Sequence, residues 1–298
     1  MTETLAIVGA GRVGRALGRR LRELGWHIGA VVARTEASAR RAVRFIGSGS
    51  AHAGMPRRVL ASTVILIATP DGAIAEVASE LARVGAEELR GKVVLHTSGA
   101  QDAGVLSPVR DCGAATGSMH PLQTFSGVAV PPLEGRLFAI EGDVMAVRTA
   151  RKIARALGGA PLPIDAPDKP LYHAACTLAA GHALVVAEAA IQLMMSLGLK
   201  RGEATRALLP MTRQVLQNCE RLGPRAAWTG PLARGDHDVV AAHVNALQQY
   251  SLEYKEAYQA LNRLAERLLV RDSAETSATL EKISEYRKAK AKGTGGKG

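Results

Sequence analysis

The sequence predicts an α/β chain: a doubly wound domain with a parallel sheet at the N-terminal side, followed by an all-helical C-terminal domain. Three observations carry that prediction. Short β-rich runs alternate with helical patterns through the first half, which is the signature of strand–helix–strand units. Four prolines then fall within residues 161–170, a density that interrupts regular structure. Beyond them the apolar patterns are helical and no run reads as a strand.

In chain order, residues 5–8 read as a first strand and 12–24 as a helix closed by Gly25. Residues 28–33 form a second strand ending at Arg34, and Thr35 caps the helix that follows. A third buried strand at 64–68 is stopped by Thr69-Pro70-Asp71-Gly72, and 73–84 is the next helix. The run 93–96 is a strand followed by Thr97-Ser98-Gly99. Further strands are expected at 116–119, 137–141 and 161–164, with a helix over 144–157. Past the prolines, helices are expected at 171–197, 201–221, 237–260 and 261–269, with a shorter one at 274–284. The resulting division is 1–165, 166–286 and a Lys/Gly tail over 287–298 whose composition cannot fold.

Composition narrows the function. Hydrophobic residues are 47% and charged residues 22% of the chain, as in ordinary globular proteins, which excludes fibrous and disordered classes. Aromatics are only 3%, too few for base-stacking platforms. Nearly half of the net charge of +11 stands at one end, because Arg287, Lys288, Lys290, Lys292 and Lys297 stand in the tail without an acid among them. No specific nucleic-acid partner is expected, and the remaining cluster of Arg34, Arg40, Arg41 and Arg44 suits a small anion. Cys112, Cys176 and Cys219 are scattered singly, matching neither a disulfide framework nor a metal site, and a reducing cytoplasm is expected. The apolar stretch 176–199 is broken by His182, Glu188 and Gln192; it reads as a buried helix rather than a membrane span. Its breadth, with Val185, Val186, Ile191, Leu193, Met194 and Met195, suggests a homodimer through the helical domain, although the chain's own helices are the other candidate cover.

Gly9-Ala10-Gly11-Arg12-Val13-Gly14 follows the first strand and opens a helix, the context in which this spacing is a dinucleotide fingerprint. Gly9 permits the turn, Gly11 lets a pyrophosphate approach the backbone, and Gly14 lets the helix pack on the sheet. The pyrophosphate would sit on the helix N-terminus, whose free N–H groups and dipole favour an anion. About 20 residues on, an NAD site presents a carboxylate to the ribose. Here Arg34 stands at the end of the second strand, and a guanidinium fork suits a 2′-phosphate. NADP(H) is therefore expected over NAD(H). Thr35 adds a hydroxyl and an N–H; Arg40 and Arg41 are either secondary charge or a solvated helix face. Thr69, Pro70 and Ser98, at strand ends on the carboxyl edge, are expected to contact the cofactor. Asp71 reads first as the N-cap of the helix after it.

Several motifs together resemble the bacterial Rossmann-like proteins that carry the C-terminal domain DUF2520. They are the glycine loop, Thr69-Pro70-Asp71, His96-Thr97-Ser98-Gly99-Ala100, Ser118-Met119-His120-Pro121-Leu122-Gln123-Thr124-Phe125, Lys169-Pro170-Leu171-Tyr172-His173 and Thr229-Gly230-Pro231-Leu232-Ala233-Arg234-Gly235-Asp236. The group is distantly similar to pyrroline-5-carboxylate reductase, ketopantoate reductase and the deazaflavin-dependent NADP reductases. That resemblance implies an NADP domain joined to an all-helical domain that often dimerises. It also implies an Asn near the middle of the first helix past the boundary; this chain has Gly181-His182 there, so any role of that amide does not carry over.

Hydride transfer is the cofactor's chemistry, and the protein must hold an electrophilic carbon and supply a proton. Lys169 and His173, four apart, share a helix face if the helix begins by Lys169. Related reductases resemble this with Lys and Asn at the same spacing. Lys169 is the candidate proton donor or oxyanion stabiliser and His173 its partner, against a surface lysine and an ordinary helix-face histidine. His120 is a second acid–base candidate or a histidine bonded to a nearby carbonyl. Ser118 and Gln123 are candidates for substrate or nicotinamide contacts, and His96 reads as strand packing. Arg234 holds a substrate carboxylate or stitches its own loop to Asp236. No zinc spacing, nucleophile elbow or P-loop lysine is present. The expected function is an NADP(H)-dependent oxidoreductase of a small, carboxylated ketone or imine, the alternative being a non-catalytic NADP-binding sensor.

Overall fold

The computed structural model describes residues 3–270. The expected helix at 274–284 and the basic tail lie outside the described residues. The chain divides into two compact units after His182, later than the expected boundary at 165.

The first unit holds one sheet of eight strands: β1 (Thr4–Val8), β2 (His27–Ala33), β3 (Ser50–Ala53), β4 (Val64–Ile67), β5 (Val93–His96), β6 (Ala115–Pro121), β7 (Leu137–Gly142) and β8 (Ala160–Pro163). Their order is β3-β2-β1-β4-β5-β6-β7-β8. The chain runs outward from β1 to β3, then returns to lay β4 on the other side of β1. That reversal leaves a crevice at the carboxyl ends of β1 and β4, where open α/β sheets take ligands.

Apolar residues on successive positions of each inner strand point to opposite faces. Leu5, Ile7, Leu66 and Leu95 pack with α1 (Arg12–Glu23), α2 (Glu36–Ile46) and α5 (Val144–Ala156) through Leu17, Ile46 and Ile153. Ala6, Val8, Ile65, Ile67 and Val94 pack on the other side with α3 (Ile74–Gly85) and α4 (Ser107–Asp111) through Ile74, Leu81 and Val109. Burial on both faces is why these strands read as continuous apolar runs.

Two differences from the sequence reading have physical reasons. The short strand β3 was not foreseen, because Ser-Ala-His-Ala has no apolar run; it is held at the sheet edge by pairing with β2. The sheet is also not wholly parallel, since β6 and β7 pair antiparallel from Gly117↔Gly142 to Pro121↔Phe138. A parallel return needs a crossover, usually a helix. Residues 122–136 form none, and Pro131-Pro132 stand within them, so the chain doubles back beside β6.

Helix α6 (Lys169–Thr177) closes the first unit. The expected continuous helix over 171–197 is interrupted by a π-helical turn, Leu178–His182, which contains Gly181-His182. The second unit comprises α7 (Ala183–Ser196), α8 (Arg201–Leu222), α9 (Pro224–Ala227), α10 (Pro231–Arg234), α11 (His237–Tyr250) and α12 (Leu252–Ala265). The break expected at residue 260 falls instead at Ser251, whose extended backbone (φ −164°, ψ 140°) ends α11 and precedes α12 and whose hydroxyl donates to the Glu253 side chain.

Of the two candidate covers for the apolar stretch, the chain's own helices leave much of it open. Leu184 is 70% and Val185 62% exposed, and Ile191 alone is buried in α7. A helix apolar on every side cannot be covered by the one neighbour, α8, that packs along it. Residues 166–196 are long and apolar enough, by length and composition, to cross a membrane.

Phe138 on β7 is fully buried with Ile140 and Ile153. Phe138→Ala is expected to lower stability by about 3–5 kcal/mol, read by urea unfolding. A loss under about 1 kcal/mol would show that the antiparallel extension adds little to the core.

Candidate functional site

The glycine loop sits at the reversal point. Gly9 and Ala10 donate to Val32 O at 3.0 and 3.1 Å, turning the chain into α1. Gly9 has φ +96°, and a Cβ there would stand 2.6 Å from Ala68 C and Thr69 N. A Cβ on Gly14 would meet Gly9 O at 2.4 Å. Both positions demand glycine because α1 and the end of β4 lie against the loop. Gly11 is the N-cap of α1 without a side-chain cap, and the first turn, beginning with Arg12 and Val13, holds no acid. Its free N–H groups are an anion site. Beside it Thr69 Oγ1 is buried without a hydrogen-bond partner, and Pro70 turns the chain outward into a short turn.

At the end of β2 Arg34 is exposed and pairs with none of the described residues. Thr35 caps α2, its hydroxyl accepting from Ser38 N at 3.2 Å. Glu36 is held by Arg40, and Arg41 donates to Ser38 Oγ at 2.8 Å. The one carboxylate near Arg34 in sequence is thus neutralised by its own helix, leaving Arg34 as the open cation. The uncapped helix, the orphaned Thr69 hydroxyl and this free guanidinium fit a phosphorylated dinucleotide.

Ser98 follows β5 at the carboxyl edge of the sheet. Its hydroxyl donates to Asp71 Oδ2 at 2.8 Å and accepts from Ala100 N and Gln101 N, so it ties two strand-end loops together. Asp71 accordingly opens a 3-10 turn without capping it, because its carboxylate is engaged across the crevice.

The second cluster gathers around Lys169, the first residue of α6 and 1% exposed. Its Nζ donates to Ser118 Oγ at 2.7 Å and to Ser98 O at 3.2 Å. Burial pushes its pKa down, while Glu141, Asp102 and Asp71 pull it back up. An ammonium has three N–H donors, so one direction at Nζ is left open by these two bonds. The partner expected for it, His173, stands instead against His120, with ring centroids 5.9 Å apart. Gly99 lies between the two rings: a Cβ there would be 2.6 Å from His173 Cδ2 and 3.0 Å from His120 Cε1. His120 Nδ1 is 2.7 Å from Tyr172 Oη. Burial, the His173 charge and the Lys169 charge hold His120 neutral, with its pKa lowered to about 4. Burial chiefly, and then Cys176, keeps the Tyr172 phenol protonated. Tyr172 escaped the sequence reading, although its place three residues after Lys169 in a helix was a usable signal.

His96 is the strand residue expected. Its Nδ1 accepts from Ser98 N at 3.2 Å and its Nε2 reaches Asp102 O at 3.1 Å, which fixes the tautomer protonated on Nε2. Burial and then the Lys169 charge lower its pKa to about 4. Two other candidates are taken up locally. Gln123 donates to Pro132 O and accepts from Thr124 N, which staples the 122–136 connection. Arg234, in the second unit, bonds Asp236 through Nε at 2.9 Å and Thr229 O at 2.6 Å, the loop-stitching arrangement.

Residues 136–265 match the domain of unknown function DUF2520 and residues 3–121 match a Rossmann-like domain. The chain carries a Rossmann-like domain followed by a DUF2520 domain. Comparison with curated proteins yields no match. Among solved structures, a Bacteroides fragilis protein, BF3122, provisionally described as an NADP oxidoreductase, is 22% identical over 89% of this chain and 98% of its own, with a TM-score of 0.72. TM1727 of Thermotoga maritima is 23% identical over 88% of this chain and 97% of its own, with a TM-score of 0.68. The Aspergillus terreus reductive aminase, solved with NADPH and ethyl-5-oxohexanoate, is 19% identical over 90% and 94%, with a TM-score of 0.65. These similarities span both units and establish the shared fold.

The neutral histidines give this DUF2520 protein a pH signature. A histidine takes up a proton near pH 6.5 when unfolded, whereas His96 and His120 do so near 4 when folded. Their contribution is complete above 6.5 and is lost as pH falls toward 4, on the order of 3 kcal/mol each. Urea unfolding between pH 7 and 4 is expected to show this decline, and His96→Gln should flatten it. An unchanged slope in that variant would mean that folding does not shift the titration of His96.

Proposed function

We propose that this DUF2520 protein is an NADP(H)-dependent oxidoreductase acting on a small, carboxylated ketone or imine. The observation that carries the reading is the buried Lys169 ammonium, with one donor direction open, beside the loops at the carboxyl edge of the sheet. When bound, the cofactor supplies or accepts the hydride. The chain's own contribution is binding, orientation and proton handling. The Gly9–Gly14 loop (Gly9, Ala10, Gly11, Arg12, Val13, Gly14) and Thr69 hold the pyrophosphate side, and Arg34 with Thr35 holds a 2′-phosphate. Lys169 donates a proton to the developing alkoxide or amine, or stabilises its charge. His120, held neutral beside His173, offers a ring nitrogen that can donate or accept, and Ser118 orients the lysine.

The substrate class rests on charge. A buried ammonium is relieved by an anionic ligand, which favours a carboxylated compound over a neutral one. Support also comes from solved relatives of the same fold, which include reductive aminase, imine reductase and pyrroline-5-carboxylate reductase. We propose further that the protein works as a homodimer, a second copy covering the exposed Leu184, Val185 and Val186 of α7.

Fluorescence titration with NADPH and NADH tests the cofactor assignment. Arg34→Ala is expected to weaken NADPH at least about tenfold and to leave NADH nearly unchanged; equal losses would overturn it. Lys169→Met should lower turnover of an active ketone or imine by about 10²-fold or more while NADPH still binds. Retained turnover would remove Lys169 from the chemistry.

A further inference from the structure

Lys169 has no carboxylate within ion-pair distance among the described residues, yet its ammonium is sealed from solvent. Burying an unpaired charge is costly, and a lysine so placed either loses its proton or finds compensation at second hand. The hydrogen bonds around Ser118 supply that compensation. Ser118 Oγ lies 2.7 Å from Lys169 Nζ and 3.3 Å from Glu141 Oε2. A hydroxyl has one proton and two lone pairs. It can accept from the ammonium only while its proton is turned to another acceptor, and the Glu141 carboxylate is that acceptor. Ala103 N donates to the same Oε2 at 2.9 Å, which pins the carboxylate in place.

We propose that Glu141 is a positioning residue that keeps Lys169 protonated through the Ser118 hydroxyl, without touching it. The direction of every bond in the series is fixed by charge. With Lys169 cationic and Glu141 anionic, Nζ–H points to Ser118 and Ser118 O–H points to Glu141, each bond polarising the next. The other groups facing Lys169 cannot take this part. Asp71 is engaged by Ser98, and Asp102 accepts from Gly104 N. His96 on β5 and His120 on β6 are neutral and carry no negative charge to offset the ammonium. Of the three carboxylates that raise the lysine's pKa, Glu141 has the largest effect. The inference concerns the resting protein; only its consequence for turnover, that Glu141 sets the acid limit of proton donation, rests on the proposed function.

The test is an NMR titration of the full-length protein labelled with [13Cε]lysine, without cofactor or substrate. The Lys169 resonance is identified by its disappearance in Lys169→Met. Glu141→Gln removes the charge but keeps an amide oxygen for Ala103 N and Ser118, so the local fold is retained. In that variant the Lys169 midpoint is expected to fall by about one pH unit or more. Ser118→Ala should produce a comparable fall, and the double variant no more than the larger of the two. The wild-type protein offers a check that needs no stable variant at position 118: the Lys169 resonance should show a second, smaller step at acid pH, absent from Glu141→Gln. An unmoved midpoint in Glu141→Gln, or a fall there that Ser118→Ala does not reproduce, would overturn the proposal. Because no ligand is present, these results stand or fall apart from the NADPH titration.

Discussion

A lysine ammonium removed from water must be met by acceptors, and satisfying Lys169 organises the site. Its two bonds reach the carbonyl of Ser98 after β5 and the hydroxyl of Ser118 on β6, so the first residue of α6 joins the ends of two neighbouring strands. That attachment brings α6 into the first unit and carries Tyr172 and His173 with it. The close approach of His120 and His173 then follows, and it is permitted only because Gly99 has no side chain to keep the rings apart. Removing the lysine's charge or its acceptors would therefore disturb more than one contact, since the helix, the loop and both histidines share it.

The crevice is built from two electrostatic environments that need different chemistry. At the reversal between β1 and β4 the charge is exposed and fixed. An uncapped helix end and the free guanidinium of Arg34 stand open to water, and arginine remains charged at any ordinary pH. Around α6 the groups are buried and adjustable. Histidines 96 and 120 are held neutral by burial while the lysine is held against the same pressure by distant carboxylates. Sites that handle protons depend on such opposed shifts.

The second unit follows another logic. Its helices are amphipathic only weakly, and the start of α7 leaves Leu184, Val185 and Val186 exposed. In water a surface of that kind is a liability unless something packs on it. The loop between Thr229 and Asp236, by contrast, is closed on itself by Arg234, so its guanidinium serves local order.

Much of the fold was legible because it is written in short-range patterns. The strand runs, the glycine spacing, Arg34 at the end of β2 and the Thr35 cap are each decided within a few residues, and each stands where the sequence placed it. What the sequence could not decide depends on neighbours distant along the chain. The polar strand β3 exists by pairing with β2. The antiparallel return of β7 follows from a connection without a helix, and the extent of the first unit follows from where Lys169 is buried. At the site, the motifs marked Lys169, His120 and His173 as reactive types, but not their partners. Ser118 and Glu141 for the lysine, Tyr172 and Gly99 for the histidines, and Asp71 for Ser98 emerge only when β4, β5, β6 and β7 meet α6. Sequence alone determined which residues are chemically capable; tertiary structure decided which of them touch, because burial and hydrogen bonding between separate strands set both geometry and charge.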